Sequence, residues 1–499
     1  MKPRLRFAAL LGAVLLASCN LAPPYQSPAK TLGILPVSFK EGGRWQPATP
    51  ASTLQRGPWW RIYHDASLDS LESQLIAANP DLAAAVANYS SYKDAALQLD
   101  AYLFPFVSAS GEAGRFQVST KRPLRHIGQP NYSNFHTMGG ELRYEVDIWD
   151  QLHNATAAGI ALAQAAAADL ASVQLSLEAD LANAYLTLRE LDNDVDLLQQ
   201  TVTAYQHYLQ IVEQRHVDNI ASGLDVSQAR FQVDAASAQE SGLRAQRAVY
   251  EHMIADLIGK PASAFSIAPK VTHIAVPVIP TGVPSQLLQR RPDIAAAERR
   301  VAAANAEIGV ARAAFYPNLM LNATGNFNSS LNAPPLVTLP VSFWSLGASS
   351  LAPLYEGGFL RAQLAQKVAL WHQATENYRS VALNAFQQVE DALSNLNLLS
   401  EQYGHQQAAV KDALRVQQLG FDLYQLGAKN YLEVIVDQEL ALQAEMLLID
   451  DRESVLLASV SLVRALGGGW TTDRLPGRDA VLTLSGMDPR KPLPPAPQP

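Results

Sequence analysis

The motif Pro80-Asp81-Leu82-Ala83-Ala84-Ala85 recurs later in the chain as Pro292-Asp293-Ile294-Ala295-Ala296-Ala297, at an offset of 212. Each copy is followed by another proline, Pro105 or Pro317, and these two prolines have the same offset. A later pair of motifs, Leu224-Asp225-Val226 and Leu432-Glu433-Val434, has an offset of 208. Because the offset changes so little along the chain, the sequence indicates two copies of one structural unit. Two units are too few for a solenoid, which needs about three or more, so we predict that the copies build one closed object.

Residues 1–18 have the pattern of an export signal. A basic region with Lys2 and Arg4 precedes an apolar run, which is shorter than the about 20 residues that a helix needs to cross a bilayer. Leu16-Ala17-Ser18-Cys19 then resembles the lipoprotein box of bacterial export signals. We therefore predict a signal peptide over residues 1–18.

Cys19 is the only cysteine among the 499 residues. An unpaired thiol in an oxidising compartment is a liability unless it is modified. Diacylglycerol on the sulfur and an acyl chain on the new N-terminus would modify it and would hold the chain firmly on a membrane. We therefore predict lipidation of Cys19 and no other cofactor; the alternative is an ordinary secretory signal with an incidental cysteine. Asn20 is not the aspartate that retains lipoproteins in the inner membrane, which favours the outer membrane of a Gram-negative bacterium.

The composition excludes several classes of protein. The net charge is −8 and the pI is near 5.7, so no basic surface indicates nucleic acid as a partner. The single cysteine excludes disulfides, and the ten histidines include no H-E-x-x-H motif. The sequence contains no nucleophile elbow, Walker loop or dinucleotide-binding motif. We therefore expect neither an enzyme nor a metal site.

Two long tracts of the sequence, residues 131–260 and 354–475, lack proline. Both are rich in Ala, Leu, Gln and Glu, with apolar residues three and four positions apart, which is helical periodicity. Each tract has one break, near Asn219 or Gly427, where the residue tolerates the left-handed conformation that ends helices. We therefore predict helical hairpins over about 150–259 and 357–467. Their first helices would be on the order of 100 Å long, too long for a compact globule.

Before each hairpin the sequence period changes to two. Residues 141–148 alternate charged and apolar side chains, and residues 318–328 alternate apolar ones such as Leu319 and Ala323 with asparagines such as Asn322. Strands of about ten residues with one apolar face are typical of membrane β-barrels, although an amphipathic strand in a soluble sheet has the same pattern. We predict strands over the following ranges, with extracellular connections at 120–134 and 329–340: about 105–119, 135–149, 317–330 and 341–353.

Four strands cannot close a membrane barrel, since the smallest single-chain examples have eight. Their unpaired edges would be untenable in lipid. Several chains must therefore share one barrel. Three copies would supply twelve strands, an even number that suits antiparallel closure.

The sequence resembles the TolC-like outer-membrane efflux proteins, in particular their lipoprotein (NodT-type) branch. The resemblance covers about residues 20–472 and is specific, because the matching motifs occur in order at family-like spacing. They include Trp59-Trp60, Asn79-Pro80-Asp81-Leu82, Tyr144-Glu145-Val146-Asp147-Ile148-Trp149, Arg290-Arg291-Pro292-Asp293-Ile294, Ala304-Asn305-Ala306-Glu307-Ile308-Gly309-Val310-Ala311 and Ala465-Leu466-Gly467-Gly468-Gly469-Trp470.

The resemblance implies a mainly helical homotrimer, in which a twelve-stranded β-barrel (four strands per chain) continues into a long periplasmic α-helical barrel. It implies a lipidated tether at 19–58, efflux repeats at 59–260 and 284–470, an equatorial connector at 261–283 and a proline-rich tail at 471–499. Within this tail we expect residues 476–499 to be poorly ordered, because they are proline-rich and terminal. It also implies contact with outer-membrane lipid, a periplasmic adaptor (membrane fusion) protein and an inner-membrane transporter of RND, MFS or ABC type. The chain would be a passive, gated exit duct of a tripartite efflux pump that exports small toxic compounds such as drugs, solvents or metals.

The family closes the periplasmic end of its channel with rings of acidic side chains just after the hairpin turn. Glu433 matches the first acidic position, whereas Val436 occupies the second and the carboxylate is displaced to Asp437. Asp225 is the first-repeat counterpart of Glu433, and Lys429 stands where a basic residue could bridge neighbouring hairpins. An acidic ring would favour cations in a narrowed pore. The alternatives are an apolar constriction at Val436 and solvated helix-end residues without a role in the gate.

The resemblance also places adaptor-docking tips at Asn219-Ile220-Ala221 and Gly427-Ala428. Small residues at a tip suit close helix contact, although the same glycine could simply end a helix. The acidic residues Glu141, Glu145 and Asp147 would line the lumen or its junction with the α-barrel, mainly in a structural role.

Two other functions stay open at this point. A duct of the same fold can serve protein secretion by a type I system, in which the partner is an ABC exporter. A periplasmic coiled-coil scaffold lipoprotein would share the anchor and the long helices but would have no barrel and no pore.

Overall fold

The computed structural model describes residues 19–33, 36, 38–42, 58–121, 123, 126, 128, 130–279, 284–329 and 341–484. Several predicted features lie wholly or partly outside these residues: the signal peptide, the tether, the two extracellular connections, the connector between the repeats and the end of the tail. In the described part, long helices lead away from a single four-stranded sheet.

The described residues form nine α-helices and four β-strands. The helices are α1 Ala66–Ala78, α2 Pro80–Ala101, α3 Gln151–Val217, α4 Gly223–Leu257, α5 Pro284–Arg290, α6 Pro292–Ala313, α7 Phe359–Gln425, α8 Tyr431–Ala465 and α9 Arg478–Val481. The strands are β1 Phe106–Gln117, β2 Tyr132–Glu145, β3 Asn318–Ser329 and β4 Ser342–Leu351.

Three pairs of corresponding helices in the two copies have equal lengths. Helices α2 and α6 have 22 residues each, α3 and α7 have 67, and α4 and α8 have 35. At about 1.5 Å per residue, α3 and α7 are each about 100 Å long. Helix α3 also contains a stretch apolar enough to cross a membrane by composition alone, but one such helix is weak evidence. Its alanines Ala158 and Ala161 pack instead against Ala303 and Ala306 of α6.

The four strands form one antiparallel sheet in the order β1-β2-β3-β4. Glu141 of β2 pairs with Thr324 of β3, which pairs with Ser345 of β4, so one face is polar. The adjacent row, Leu142, Ala323 and Leu346, lies on the opposite, apolar face. This register confirms the predicted alternation along β3. Within the described part of the chain, β1 and β4 each pair along one side only.

Strand β2 ends four residues before the predicted end at 149. Although the charged and apolar side chains continue to alternate, Ile148 N–H donates to Val146 O at 2.9 Å in a tight turn. Trp149 Nε1 donates to Pro317 O at 2.8 Å, which fixes the turn against the start of β3. The prediction of a strand to 149 is therefore wrong at this end.

Both chain ends are more ordered than the sequence predicts. The tether residues 19–33, 36 and 38–42 contact α6 and α7, and two short 3₁₀ helices, Pro28–Leu32 and Lys40–Gly42, form within them. The start of the tail packs on α2 and α3 through α9. The prediction of poor order is wrong for residues 476–484, where α9 forms and Val481 is fully buried.

The largest apolar core lies midway along the long helices. Tyr185 of α3, Leu393 of α7 and Leu456 of α8 pack there with Trp59 and Leu75. These contacts join both repeats at the level where the family has its equatorial domain.

Polar contacts tie the connector between the repeats to α3 and α4 at this level. The buried Asp192 accepts hydrogen bonds from Arg189 Nη1 at 2.8 Å, Arg247 Nε at 2.6 Å and Lys270 N–H at 3.0 Å. Arg247 Nη2 also donates to Ile267 O at 2.7 Å. Because one carboxylate binds three of these donors, it holds the described part of the connector, whose one regular element is the 3₁₀ helix Ala262–Ala264, against α3 and α4.

Candidate functional site at the hairpin tips

The two hairpins turn at residues with left-handed backbone. Asn219 follows α3 with φ 60°, and Gly427 follows α7 with φ 75°. Asparagine tolerates this conformation better than most residues with a side chain, so it performs in the first repeat the role that glycine performs in the second. The difference between the two turns in sequence therefore does not produce a difference in backbone.

The turns present apolar side chains at the tip. Ile220 is 65% exposed and Leu426 is 80% exposed. Ala428 is also exposed, whereas Ala221 is half-buried against the helices. Each hairpin thus ends in an exposed apolar side chain; Ile220 is one of the predicted tip residues, whereas Leu426 was not predicted from the sequence.

The Asp225 carboxylate caps the returning helix α4, and the Glu433 carboxylate holds the side chain of Asn430, which caps α8. Asp225 Oδ2 accepts the Ser222 N–H at 2.8 Å, and Ser222 Oγ accepts the Asp225 N–H at 3.2 Å. In the second repeat, Asn430 Oδ1 accepts the Glu433 N–H at 2.9 Å, and Asn430 Nδ2 donates to Glu433 Oε1 at 2.5 Å. Both acids therefore stabilise a helix N-terminus, and Glu433 is also exposed.

Lys429 pairs with Asp437 inside the second hairpin. Its Nζ donates to Asp437 Oδ2, and both side chains are largely buried. Gly420 of α7 makes room for the pair, because a Cβ at this position would collide with the Asp437 carboxylate. The sequence predicts that Lys429 bridges neighbouring hairpins; the structure corrects this, because the turn at Gly427 folds Lys429 back over α8. We refer to Gly420, Lys429 and Asp437 as the clasp.

The first repeat has an apolar contact in the position of the clasp. The residues 208 positions earlier are Val212, Ala221 and Ala229. Val212 and Ala229 belong to a buried apolar cluster at the tip, and Ala221 packs against it. The second hairpin has thus replaced an apolar contact by a buried ion pair.

Val436 and Asp437 lie on different faces of α8. Val436 is 56% exposed and lies on the same face as Leu432 and Leu440, four positions to either side. Asp437 is 9% exposed and is held in the clasp. Only Val436 and Glu433 of the predicted second-repeat gate residues on α8 are therefore available to a pore or to a neighbouring chain.

An arginine that the sequence analysis did not single out joins the two hairpins. The Arg215 guanidinium of α3 lies 4.7 Å from the ring centroid of Tyr424 on α7. Its Nη1 is 3.5 Å from Gln425 O, at the carbonyl end of the same helix. A cation at a helix C-terminus and over an aromatic face is favourable on both counts.

Aromatic rings pack beside this contact. The ring centroids of Tyr208 and Phe421 are 4.4 Å apart, and those of Tyr424 and Tyr431 are 5.3 Å apart. Burial raises the pKa of Tyr424 and of Tyr431 above the ordinary value, so both stay neutral and pack as apolar rings. The spacing of Phe421, Tyr424 and Tyr431 around the second turn was the sequence signal for this cluster.

The sheet end of the chain holds the predicted lipidation residue. Cys19 N–H donates to Ile148 O at 3.1 Å, at the junction of β2 and α3. Close by, Asp147, Asp150 and His153 bring ligand-type atoms within 4.8 Å of one another. Asp147 Oδ2 accepts both His153 N–H and Nδ1 at 2.8 Å, so this group caps the first turn of α3.

The chain matches a known family over both repeats. A model of the outer membrane efflux protein family matches residues 71–260 and 283–468. The chain belongs to this family. It is 33% identical over 422 residues to the pyoverdine export outer membrane protein OpmQ of Pseudomonas aeruginosa, covering 83% of this chain and 88% of that protein. It is 29% identical over 461 residues to the toluene efflux pump outer membrane protein TtgC of Pseudomonas putida, covering 92% and 94%.

Solved structures of outer-membrane channels have the same fold. The outer-membrane channel OprN superposes with a TM-score of 0.82 at 24% identity, over 91% of this chain and all of that one. The CmeC channel of Campylobacter jejuni superposes with a TM-score of 0.84 at 20% identity, over 91% and 96%. The predicted fold class is confirmed: the chain has the fold of an outer-membrane efflux channel protomer. Its family is one of efflux ducts rather than enzymes.

The clasp gives a prediction about the closed state of the tip. Lys429→Ala leaves the Asp437 carboxylate buried without its partner, which costs about 3–5 kcal/mol. We expect the second hairpin to loosen, with higher conductance of the purified channel in planar bilayers and greater entry of vancomycin into cells.

The first repeat supplies the matched control. Gly420→Val combined with Lys429→Ala and Asp437→Ala installs the apolar trio of the first hairpin, and an apolar replacement of a buried ion pair is often neutral or stabilising. This triple variant should conduct as little as the unmodified channel. Equal conductance of Lys429→Ala and the unmodified channel, or equal leakage of both variants, would refute this role of the clasp.

Proposed function

We propose that three copies of this chain form the passive exit duct of a tripartite pump, fed by a periplasmic adaptor and an inner-membrane transporter of RND, MFS or ABC type. The observation that carries this proposal is the sheet, which has one polar face, one apolar face and two open edges. A closed ring of such sheets has a polar lumen and an apolar wall towards lipid. The sequence has no Walker loop, so the energy comes from the partner.

The gate proposed here consists of Glu433 and Val436. Both are exposed on the first turns of α8 in the single chain, so they are available to face a shared axis. Asp437 is left out of the ring, because Lys429 holds its carboxylate in the clasp. Three Glu433 carboxylates at one level would favour cations, and three Val436 side chains would narrow the pore without charge.

The adaptor would dock at the hairpin ends. Ile220 and Leu426 are exposed apolar side chains beside the two turns, and the small Ala428 allows a partner helix to approach closely. An exposed apolar end on a long helix is a typical place for a partner to bind. The two hairpins would offer two similar but unequal contacts per chain.

The lipid anchor would lie at the junction of sheet and helices. Cys19 N–H donates to Ile148 O, and an N-acylated cysteine keeps this N–H, so the hydrogen bond persists after lipidation. Exposed aromatic side chains surround the same end of the sheet: Tyr102, Phe104, Phe106, Tyr316 and Tyr355. Aromatic belts of this kind mark membrane interfaces. The acyl chains would thus enter the membrane at the level of the belt.

The transported compounds are proposed from the relatives, which are named for pyoverdine, toluene and antibiotic efflux. We expect this duct to export small toxic organic compounds, and metals remain within the proposal. Deletion of the gene should lower tolerance of a toxic-compound panel several-fold, and a plasmid copy should restore it. Unchanged tolerance together with loss of a secreted protein would instead indicate a type I secretion duct.

The proposed gate predicts a change in ion selectivity. Glu433→Gln removes three charges from the proposed ring but keeps an amide that can cap α8. The preference for potassium over chloride in planar bilayers should fall by about half. The matched control is Asp225→Asn, which changes the equivalent cap in the first repeat. Equal effects of both variants would assign the change to helix capping and contradict a gate at Glu433.

The proposed anchor predicts a change in lipid labelling. Cys19→Ser should abolish incorporation of labelled palmitate into the protein, because the chain has no other cysteine. The control is Asn20→Ser, which should keep the label. Palmitate on the Cys19→Ser variant would contradict this site of attachment.

A further inference from the structure

The N-terminal segment is docked on one stripe of α6. Arg312 Nη1 donates to Leu21 O at 3.2 Å, and Asn305 Nδ2 donates to Pro23 O at 2.8 Å. Tyr25 OH donates to the carboxylate of Glu298, which lies about two turns before Asn305 on α6. The stripe residues Glu298, Asn305, Gly309 and Arg312 are spaced by seven, four and three positions, so they lie on one face of the helix. We call the described residues 19–33, 36 and 38–42 the strap; its residues 21–25 run antiparallel to α6.

Gly309 allows the strap to approach the helix backbone. A Cβ at this position would lie 2.8 Å from Ala22 Cβ and 2.6 Å from Asn154 Nδ2, closer than atoms normally pack. Asn154 Nδ2 in turn donates to Asn20 Oδ1 at 3.2 Å. Any larger residue at Gly309 would therefore push the strap away from α6 and α3.

The end of the strap that is farther from the sheet is held by α7. The N–H groups of Lys40 and Glu41 donate to the two oxygens of the Glu390 carboxylate at 2.8 and 2.9 Å. Leu32 packs against the apolar cluster around Tyr378, and Phe39 is buried in the equatorial core. The strap thus follows the groove between α6 and α7 from the sheet to the equator.

The other end of the chain occupies the equivalent groove of the first repeat. Val481 of α9 packs against Ala96 of α2 and Ala163 of α3. Gln164 Nε2 donates to Pro476 O at 2.9 Å, and Arg478 lies 3.7 Å from the Asp100 carboxylate. The groove between α2 and α3 is therefore filled by residues 476–482.

The two grooves have diverged in the side chains that contact their occupants. At the offset between the two proline motifs, the stripe positions of α6 correspond in α2 to Val86, Lys93, Leu97 and Asp100. None of the four residues is shared. Arg312 holds the strap where its counterpart Asp100 faces Arg478, so equivalent positions bind opposite ends of the chain.

We propose that the strap and residues 476–482, which we call the C-terminal brace, each stabilise one repeat by filling its groove. We further propose that the α6 stripe is a docking site dedicated to the strap. The chemistry fits the occupant. Pro23 and Pro24 keep the strap extended and lack N–H groups, so its free carbonyl oxygens are what a receptor can bind. Asn305 and Arg312 supply donors for such carbonyls, and Gly309 removes the side chain that would block them.

Docking also fixes the first residue of the strap. Cys19 lies at the junction of β2 and α3, so a docked strap holds the point of membrane attachment at one height. This consequence rests on the proposed lipidation of Cys19, whereas docking itself does not. A Cys19→Ser chain should keep its strap docked.

Trypsin cleavage of the full-length trimer in detergent tests the proposal. The bond after Lys30 lies in the 3₁₀ helix Pro28–Leu32, and the bond after Arg474 lies at the end of the 3₁₀ helix Thr472–Arg474, directly before residues 476–482. Asn305→Ala combined with Arg312→Ala removes two hydrogen bonds to the strap, so cleavage after Lys30 should become about tenfold faster. Gly309→Leu, which installs the first-repeat residue, should have the same effect. Cleavage after Arg474 should not change in either variant.

Asp100→Ala is the matched control in the first repeat. It should accelerate cleavage after Arg474 and leave cleavage after Lys30 unchanged. Unaltered cleavage after Lys30 in both α6 variants, or equal acceleration at both sites in any variant, would overturn the proposal. The Cys19→Ser chain separates the two ideas: a strap that is cut as slowly as in the unmodified chain supports docking whether or not Cys19 carries lipid.

Discussion

The structure depends on the two open edges of its sheet. In hydrocarbon, each unpaired backbone N–H or C=O costs several kcal/mol, so an open four-stranded sheet cannot exist there alone. In the described part of the chain, β1 and β4 each pair along one side only; under the proposed assembly other copies of the chain would pair with them, and three copies would give an even-numbered closed barrel. The long hairpins are then forced to continue side by side from the barrel, because each leaves the sheet at the end of β2 or β4.

Duplication supplied this architecture, and the differences between the copies mark where the halves have separate tasks. The helices have kept their lengths, and the turns have kept a left-handed residue at Asn219 and Gly427. The tips differ in the clasp, where Lys429 and Asp437 stand in place of two alanines. The groove between α6 and α7 has the stripe that receives the strap, whereas the groove between α2 and α3 has different residues at the corresponding positions. A change from apolar contact to ion pair at one tip only makes that tip more sensitive to a single broken interaction.

Much of the fold could be predicted because it follows from the periodicity of apolar residues and from the residues that end helices and strands. The alternation along β3, the proline-free helices and the turn residues are all local signals. Contacts that depend on how two segments distant in sequence pack together could not be predicted from the sequence. The partner of Lys429 is set by a glycine on another helix, and the end of β2 is set by Trp149 binding Pro317 O. The strap docks through its carbonyl oxygens, which leave no pattern in its side chains.

The same contrast holds for the candidate gate. The positions of Glu433, Val436 and Asp437 on α8 could be taken from the sequence, but which of these side chains are exposed could not. Capping explains Glu433 and Asp225 as local features of helix starts. Predicting the burial of Asp437 would have required knowing how α7 packs beside it.

Disulfide trapping between the edge strands tests the central claim most directly. In a chain with Cys19 replaced by serine, Ser110→Cys on β1 is combined in turn with cysteine at Ser345 or Ser349 on β4. Within one sheet these strands are three spacings apart, about 14 Å, which is too far for a disulfide. The account predicts covalent products that stop at three chains for a matching register, and none for either single cysteine. A disulfide within one chain, or products that extend beyond three chains, would contradict it.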